Sequence, residues 1–257
     1  HKDKPIFTNY VDSTSVLTIE SNLNKGKTLF VRKYQRKFPI SPPPFTSSSN
    51  TPFNYSPESN SEISLGQSGK NSLGLPFDGF LHIQLDTNSR SGLTLFLFSP
   101  YFPDVKSVHQ MIPPVRYICS RSEYNKLINS DLEKSAIDYF WRDKTGSKDR
   151  AREIIRKYYS RVENANEHFT SYMEGWKTDR GMISVIYGPP SIVSKLSDRE
   201  VWVYGDENNI NSLSFVFSKM KNPFTDNDYK LQRSPMYKSS WYKAVDAWRS
   251  GRAYWIQ

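Results

Sequence analysis

The side chains best suited to acid–base or metal chemistry are four histidines that stand far apart along the chain: His1, His82, His109 and His168. No two have the spacing that lets one helix or turn present both to a metal ion. One candidate base is His168, which a carboxylate such as Asp179 could orient, but no nucleophile accompanies the pair. The motifs of serine hydrolases, phosphate-binding loops and calcium loops are absent. We therefore predict no catalytic residue, no metal site and no cofactor.

The most unusual local sequence is Gly-Trp-Lys-Thr-Asp-Arg-Gly at residues 175–181. In a structural interpretation, its two glycines supply turn conformations and Trp176 packs over a pair of helices. Thr178 or Asp179 then accepts backbone N–H bonds where the chain turns into a strand. The sequence favours this structural interpretation.

The alternative is a ligand site, in which Arg180, Lys177 and the N–H groups around Gly188 hold an anion. Residues 188–190, Gly-Pro-Pro, likewise form either a rigid exit toward a strand or a docking surface, and the rigid exit is favoured. The candidate residues, structural or ligand-binding, are Gly175, Trp176, Thr178, Asp179, Arg180, Gly181, Gly188, Pro189 and Pro190.

Charge and composition narrow the class of partner. The chain has 35 Lys and Arg against 26 Asp and Glu, a net charge of +9, but the basic residues are spread along the whole sequence. Nucleic-acid binders usually concentrate that charge on one helix or stripe, so we expect no nucleic-acid partner. Most of the charge is interpreted as solvated surface, with an anionic membrane face or an acidic protein as the alternative partner.

The single cysteine and the first residue of the sequence bear on which bonds the chain can form and on whether it has been processed. Cys119 is the only cysteine, which excludes an intrachain disulfide and a thiolate metal cluster. The sequence opens at His1 and contains no apolar run long enough to cross a bilayer. We expect a processed or trimmed chain with no transmembrane helix of its own.

The order of the predicted elements indicates an α+β fold. Residues 1–119 are predicted to form a β-rich, sandwich-like domain. Residues 15–20 and 28–38 are interpreted as a hairpin, and residues 80–86 and 92–98 as two further strands. The Pro-, Ser- and Asn-rich stretch that follows Phe38 cannot pair as central strands, so a long loop is expected there.

Residues 120–257 are predicted to form an α+β domain with a small antiparallel sheet and two or three helices. The clearest helix covers residues 148–169, where apolar side chains recur at three- and four-residue intervals. A helix beginning at Ser122 precedes it. Strands are predicted at residues 183–187, 200–204 and 213–217, and a last helix at residues 239–249.

The motif at residues 175–179, Gly-Trp-Lys-Thr-Asp, resembles the signature of the GWxTD-domain proteins, found mainly in Bacteroidota. The resemblance covers most of residues 115–257 densely and the N-terminal half more loosely, through Val31, Arg32, Tyr34 and residues 38–45. Matching segments lie upstream at 140–141, 151–159 and 161–166, and downstream at 180–181, 187–190, 201–204, 222–229 and 244–249.

The resemblance implies location more than mechanism. Members of that family are typically exported, often as lipoproteins, and no catalytic residue is carried over from them. The lipidated cysteine of a lipoprotein would precede His1. We expect a non-enzymatic, exported protein-interaction subunit of a bacterial outer-membrane-associated assembly serving secretion, outer-membrane protein insertion or surface transport.

Two alternatives remain open. One is an envelope enzyme or ligand domain that uses Asp179, Arg180 and His168 on an envelope polymer, which requires those side chains to converge in a pocket. The other is a carbohydrate- or peptidoglycan-binding module, which requires exposed coplanar aromatic rings. Rings suited to that role are Tyr34, Phe45 and Tyr55.

The segment from Phe38 to Tyr55 is the candidate partner-binding strip. Its prolines remove backbone donors and favour extended structure, while its aromatic rings need cover. We therefore expect a protein partner to order it. The candidate contact residues are Phe38, Phe45, Phe53 and Tyr55.

Overall fold

A computed structural model describes residues 5–12, 16–35, 37–47, 54–75, 79–145, 147–206 and 212–254. Within these ranges the chain has an α+β fold, with most strands in the N-terminal half and most helices in the C-terminal half. The strands are β1 (Tyr10–Asp12), β2 (Val16–Glu20), β3 (Thr28–Tyr34), β4 (Ser59–Ser64), β5 (Lys70–Gly74), β6 (Gly79–Gln84), β7 (Leu93–Phe98), β8 (Ile192–Lys195), β9 (Arg199–Tyr204), β10 (Leu213–Lys219) and β11 (Tyr229–Leu231).

The helices connect and cover these strands. The α-helices are α1 (Val108–Met111), α2 (Arg121–Ile128), α3 (Glu133–Thr145), α4 (Lys148–Phe169), α5 (Asp179–Tyr187) and α6 (Tyr237–Arg249). Two short 3₁₀ helices cover Pro113–Tyr117 and Gly175–Lys177.

The N-terminal half is sandwich-like. A five-stranded sheet has the order β1-β7-β6-β3-β4, and β2 pairs with β5 in a second sheet. β1 runs parallel to β7, and the other pairs are antiparallel. Aliphatic side chains from both sheets form one core, because alternate residues of each strand point to the same face. Its members are Val11, Leu17, Leu29, Val31, Leu65, Leu75, Leu81, Ile83, Leu95 and Leu97.

The hairpin predicted for residues 15–38 is wrong. β2 pairs with β5, and β3 lies between β4 and β6. Alternating apolar residues predict strands but do not predict which strand pairs with which. Strands β4 and β5 were missed, because their sequences SNSEIS and KNSLG carry few of the side chains typical of strands.

The C-terminal half packs helices against an antiparallel four-stranded sheet of order β11-β10-β9-β8. Helix α4 begins at the N-cap Ser147 and buries one apolar stripe, as its periodicity predicted. The core includes large aromatic side chains, of which Trp141, Tyr158, Phe215 and Trp248 are essentially inaccessible to solvent.

Three predictions for this half need correction. Residues 183–187 are helical, as part of α5, and not a strand. Eight of the nine residues of α5 are buried, so burial does not follow a single face of this helix. Helix α2 is capped by Ser120, with Glu123 completing the capping box, rather than beginning at Ser122. Among the described residues from Arg121 onward there are five α-helices, where two or three were expected.

Several contacts join the two halves, and one of them is made by the loop between β10 and β11. Phe224 lies 4.9 Å from both the Tyr34 and the Phe80 ring centroids, on the face of the five-stranded sheet opposite β2 and β5. Val115 and Ile118 of the first half belong to the core of the second. The division into residues 1–119 and 120–257 stays a prediction, and these contacts cross it.

None of the described helices is both long and apolar enough to cross a membrane.

Candidate functional site

The two glycines of the motif allow backbones to approach closely. A Cβ atom on Gly175 would lie 1.8 Å from the carbonyl oxygen of Ala165 in α4. One on Gly181 would lie 1.8 Å from the carbonyl oxygen of Gly175. Real side chains cannot occupy such positions, so both residues are required for α4, the 3₁₀ helix and α5 to stack.

Trp176 and Thr178 complete this junction. The Trp176 side chain is buried in the C-terminal core, and its carbonyl accepts a 2.8 Å hydrogen bond from the Tyr117 hydroxyl. Thr178 is the N-cap of α5: its Oγ1 accepts from the Gly181 N–H at 3.0 Å and donates to the Gly175 carbonyl at 2.7 Å. The helix therefore begins where a side chain satisfies one of its free N–H groups.

Asp179 holds a distant part of the chain. Its carboxylate pairs with the guanidinium of Arg233, and Oδ2 accepts the Leu231 N–H at 2.8 Å. Both ion-pair side chains are more than nine-tenths buried. Arg233 also donates to the carbonyls of Pro42 and Pro43, at 2.6 and 2.7 Å. Asp179 thus fixes an arginine that holds the proline strap, which we define as residues 37–47.

Arg180 forms a second buried ion pair. Its Nη1 lies 3.3 Å from Glu200 of β9, and its Nη2 donates to the Asn227 carbonyl at 3.0 Å. The guanidinium carbon lies 3.9 Å from the Tyr229 ring centroid and 5.2 Å from that of Phe169. Burial lowers the pKa of Arg180, and the Glu200 carboxylate opposes that shift. The side chain therefore joins α5, the sheet and the 222–229 loop.

Gly188 ends α5 with φ +86°, and its Cβ would lie 2.8 Å from the Arg161 guanidinium. Arg161 donates to the last carbonyls of α5, on Val185 and Ile186, at 3.3 and 3.1 Å. Burial lowers the pKa of Arg161 to about 10. Pro189 and Pro190 follow, exposed and half-buried, and lead into β8; their assignment as a rigid exit rather than a docking surface stays a prediction.

The groups proposed to hold an anion are engaged elsewhere. The Lys177 ammonium lies 2.6 Å from Glu174, the Gly188 N–H donates to the Ser184 carbonyl at 2.8 Å, and Arg180 faces Glu200. These contacts support the structural interpretation of the motif over the ligand site.

The three side chains of the enzyme hypothesis have different partners. Asp179 contacts Arg233 and Arg180 contacts Glu200, whereas His168 is exposed and its backbone carbonyl accepts from Asn227. Convergence of the three in one pocket is not found in the described residues. No group of three or more His, Cys, Asp or Glu there could hold a metal ion.

The proline strap is ordered by its own chain, contrary to the expectation that a partner would order it. The Ser41 N–H donates to the Lys177 carbonyl, and the Ser234 N–H donates to the Pro44 carbonyl. Phe38 packs 4.5 Å from the Tyr172 ring centroid and Phe45 packs 5.5 Å from that of Tyr242.

The other candidate rings have separate positions. Tyr55 packs against Phe224, and Phe53 lies outside the described residues. Tyr34 is buried, while Phe45 and Tyr55 are half-buried, so these three rings do not form the exposed platform that sugar stacking requires. Partner binding by Phe38, Phe45, Phe53 and Tyr55 stays a prediction.

Sequence reasoning missed the residues that complete the motif. Arg233, Glu200 and Asn227 lie 20 to 54 positions away from their partners Asp179 and Arg180. No spacing rule links residues so distant. The only available signal was the resemblance at residues 222–229, which pointed to the loop without giving its contacts.

Strand β8 is exposed along its whole length. It is the end strand of its sheet, and Ile192, Val193, Ser194 and Lys195 are all exposed. The hairpin to β9 closes with the Leu196 N–H donating to the Arg199 carbonyl at 2.8 Å. In an antiparallel ladder this register turns the N–H and C=O groups of Val193 and Lys195 away from β9. Within the described residues no strand pairs with that side.

These observations define an α+β protein in which a Gly-Trp-x-Thr-Asp motif locks two helices, a sheet and a proline-rich strap together. A family model described as the GWxTD domain matches residues 79–250, more than half of the chain. The chain therefore belongs to the GWxTD-domain family. No curated protein and no solved structure matches it. The matched region begins at the first residue of β6, so it includes two strands of the N-terminal sheet.

Proposed function

We propose that this chain is a non-enzymatic, exported subunit of a bacterial outer-membrane-associated assembly and that it acts by binding other proteins. Secretion, insertion of outer-membrane proteins and surface transport are the processes such a subunit would serve. The GWxTD-family resemblance supports export to the cell envelope, with peripheral attachment through a lipid anchor upstream of His1.

The observation that carries the protein-binding part is the uncovered edge of β8. A strand with free N–H and C=O groups is a template for another strand, and natural proteins usually protect such edges. Ile192 and Val193 are 38% and 43% exposed on this strand, and Leu196 beyond it is 49% exposed. An extended protein segment that adds a fifth strand would satisfy the backbone groups and cover these side chains.

The engaged state of the motif supports the non-enzymatic part. Asp179 and Arg180 lie in buried ion pairs that hold the fold together. A reaction at these residues would require breaking contacts that span the strap, the sheet and the 222–229 loop.

The test is crosslinking in native membranes followed by extraction in a mild detergent, with wild type and two variants. Val193→Pro removes an N–H that points away from β9, so the variant should fold, because proline is tolerated at strand edges. Val193→Ala trims the side chain but keeps the N–H. We expect the proline variant to lose its crosslinked partners and the alanine variant to keep most of them, with similar thermal stability for all three.

Two outcomes would contradict the proposal. If the proline variant folds and captures the same proteins as wild type, β8 is not the binding edge. If crosslinking yields only a second copy of this chain, the edge serves self-association rather than a heterologous partner.

A further inference from the structure

A cleft of about 540 Å³ opens where the two halves of the molecule meet. We call it the junction cleft. It is lined by Tyr55, Arg90, Ser91, Gly92, Lys221, Asn222 and Pro223. We propose that the junction cleft binds a small polar molecule bearing a phosphate or carboxylate group, such as a phosphorylated sugar or a sugar acid.

The first argument is charge. Arg90 and Lys221 are exposed basic side chains, and no carboxylate lines the cleft. Within the described residues neither cation takes part in an ion pair. The nearby acids are engaged: Asp226 lies 3.3 Å from Lys219, and Asp228 accepts from Asn222 at 2.9 Å. The two cations are therefore available to an oxyanion, and the net charge of +9 favours its approach.

The second argument is that Arg90 is already positioned. Its guanidinium carbon lies 4.6 Å above the centroid of the Tyr55 ring. The Arg90 carbonyl is bonded at 3.0 Å to the buried His82 ring, and the Ser91 carbonyl accepts from Gln84 at 3.2 Å. Gly92 has no room for a side chain, because a Cβ would lie 2.5 Å from the Ile83 carbonyl oxygen. Because hydrogen bonds fix this loop and the guanidinium stacks on a ring, both lose little conformational freedom when a ligand binds.

The opposite wall is held in the same way. Asn222 Oδ1 accepts the N–H groups of Phe224 and Thr225 at 3.0 and 3.1 Å. Phe224 is anchored in the aromatic cluster of the N-terminal sheet, so this wall is fixed relative to Arg90. The cleft therefore does not require assembly on binding.

The third argument is size. Small-molecule sites are usually about 300 to 1,000 Å³, and this volume leaves room for more than a bare phosphate. The Ser91 hydroxyl supplies a polar group for a ligand hydroxyl, while arginine matches phosphate and carboxylate oxygens with paired donors.

The binding test is an NMR titration of the full chain with glucose 6-phosphate, glucuronate, glucose and inorganic phosphate. We expect shifts centred on residues 90–92 and 221–223 with the two anionic sugars and none with glucose. Binding should weaken as salt is added. If only inorganic phosphate binds, or if glucose binds equally well, the assignment of an anionic sugar is overturned.

The variant test compares two double substitutions that change charge equally. Arg90→Gln with Lys221→Gln removes both cations of the cleft. The matched control, Arg142→Gln with Lys134→Gln, removes an exposed arginine that stacks 5.9 Å from the Tyr139 ring centroid and an exposed lysine, both on α3. We expect at least about a tenfold loss of affinity in the first and no change in the second, because bonds to charged groups are the strong ones. Equal losses in both, or no loss in either, would overturn the proposal.

Discussion

Two short stretches, one that includes the start of α5 and one that follows its end, differ in how their polar groups are satisfied. In residues 175–181 the side chains of Thr178, Asp179 and Arg180 bond within the molecule, and Trp176 is buried. In β8 every residue is exposed, and half of its backbone groups point away from β9, the strand that pairs with it among the described residues. Residues 175–181 thus form an internal joint, which is the name used below for these residues and their buried contacts. The binding edge that we propose, β8, lies outside this joint.

The largest effect expected at the joint is that of Trp176→Ala. Trp176 is 5% exposed in the C-terminal core, and truncating a buried aromatic side chain costs about 3 to 5 kcal/mol. We expect a matching loss in the free energy of unfolding, measured by chemical denaturation. Tyr101→Ala, at a ring that is 56% exposed, is the control and should change little. If Trp176→Ala keeps the stability of wild type but loses a partner, Trp176 belongs to an interaction surface and not to the joint.

A smaller effect is expected from Asp179→Asn. It removes the charge that pairs with buried Arg233 but keeps an oxygen for the Leu231 N–H, and breaking a buried pair costs about 3 kcal/mol. Hydrogen exchange should rise at Ser41, whose N–H lies in the proline strap. The control is Asp198→Asn, an exposed carboxylate. Unchanged exchange in the strap would show that Arg233 holds it without Asp179.

Next in size is Thr178→Ala, which removes the N-cap of α5. Loss of such a cap costs about 1 kcal/mol, and Thr178→Ser should recover most of it because the hydroxyl is kept. Thermal unfolding of the three proteins measures the difference. If serine fails to rescue, the methyl group of Thr178, and not its hydroxyl, is what stabilises the joint.

The sequence predicted the parts of this molecule that depend on local pattern. Helix α4, strands β6, β7, β9 and β10, and the burial of Trp176 follow from periodicity and side-chain size. Strand pairing depends on the whole chain. The pairing of β2 with β5, in which Glu20 lies opposite Lys70, therefore could not be predicted from local pattern.

The α5 helix shows a second limit. Its Ile183, Val185 and Ile186 are common in strands, and only tertiary burial on all sides decides for the helix. Thr178 followed by Asp179 is a typical helix-start signal. The β-branched residues of 183–186 favoured a strand instead, and the prediction followed them. No local sequence pattern indicates that Arg233 pairs with Asp179.

The smallest effect, and the only one of opposite sign, is expected from Asp228→Asn at the edge of the joint. Burial raises the pKa of Asp228 to about 6 from its usual 3.8, although hydrogen bonds from Tyr172 and Asn222 and the charge of Arg180 oppose the shift. The folded protein therefore holds this proton more tightly than the unfolded chain, so stability falls as pH rises through that range and the penalty persists above it.

Asparagine at this position removes the titration while keeping an oxygen for Asn222. We expect the variant to be more stable than wild type at neutral pH, by on the order of 1 kcal/mol, since Asp228 is only partly buried by area. The gain should shrink as the pH is lowered from about 6 toward about 4 and be lost below that, where the wild-type carboxyl is protonated in both states. Asp226→Asn, at a fully exposed neighbour paired with Lys219, is the control. A variant that is less stable than wild type at neutral pH would mean that Asp228 works as a carboxylate near Arg180, and that the joint depends on this third carboxylate in addition to the two ion pairs.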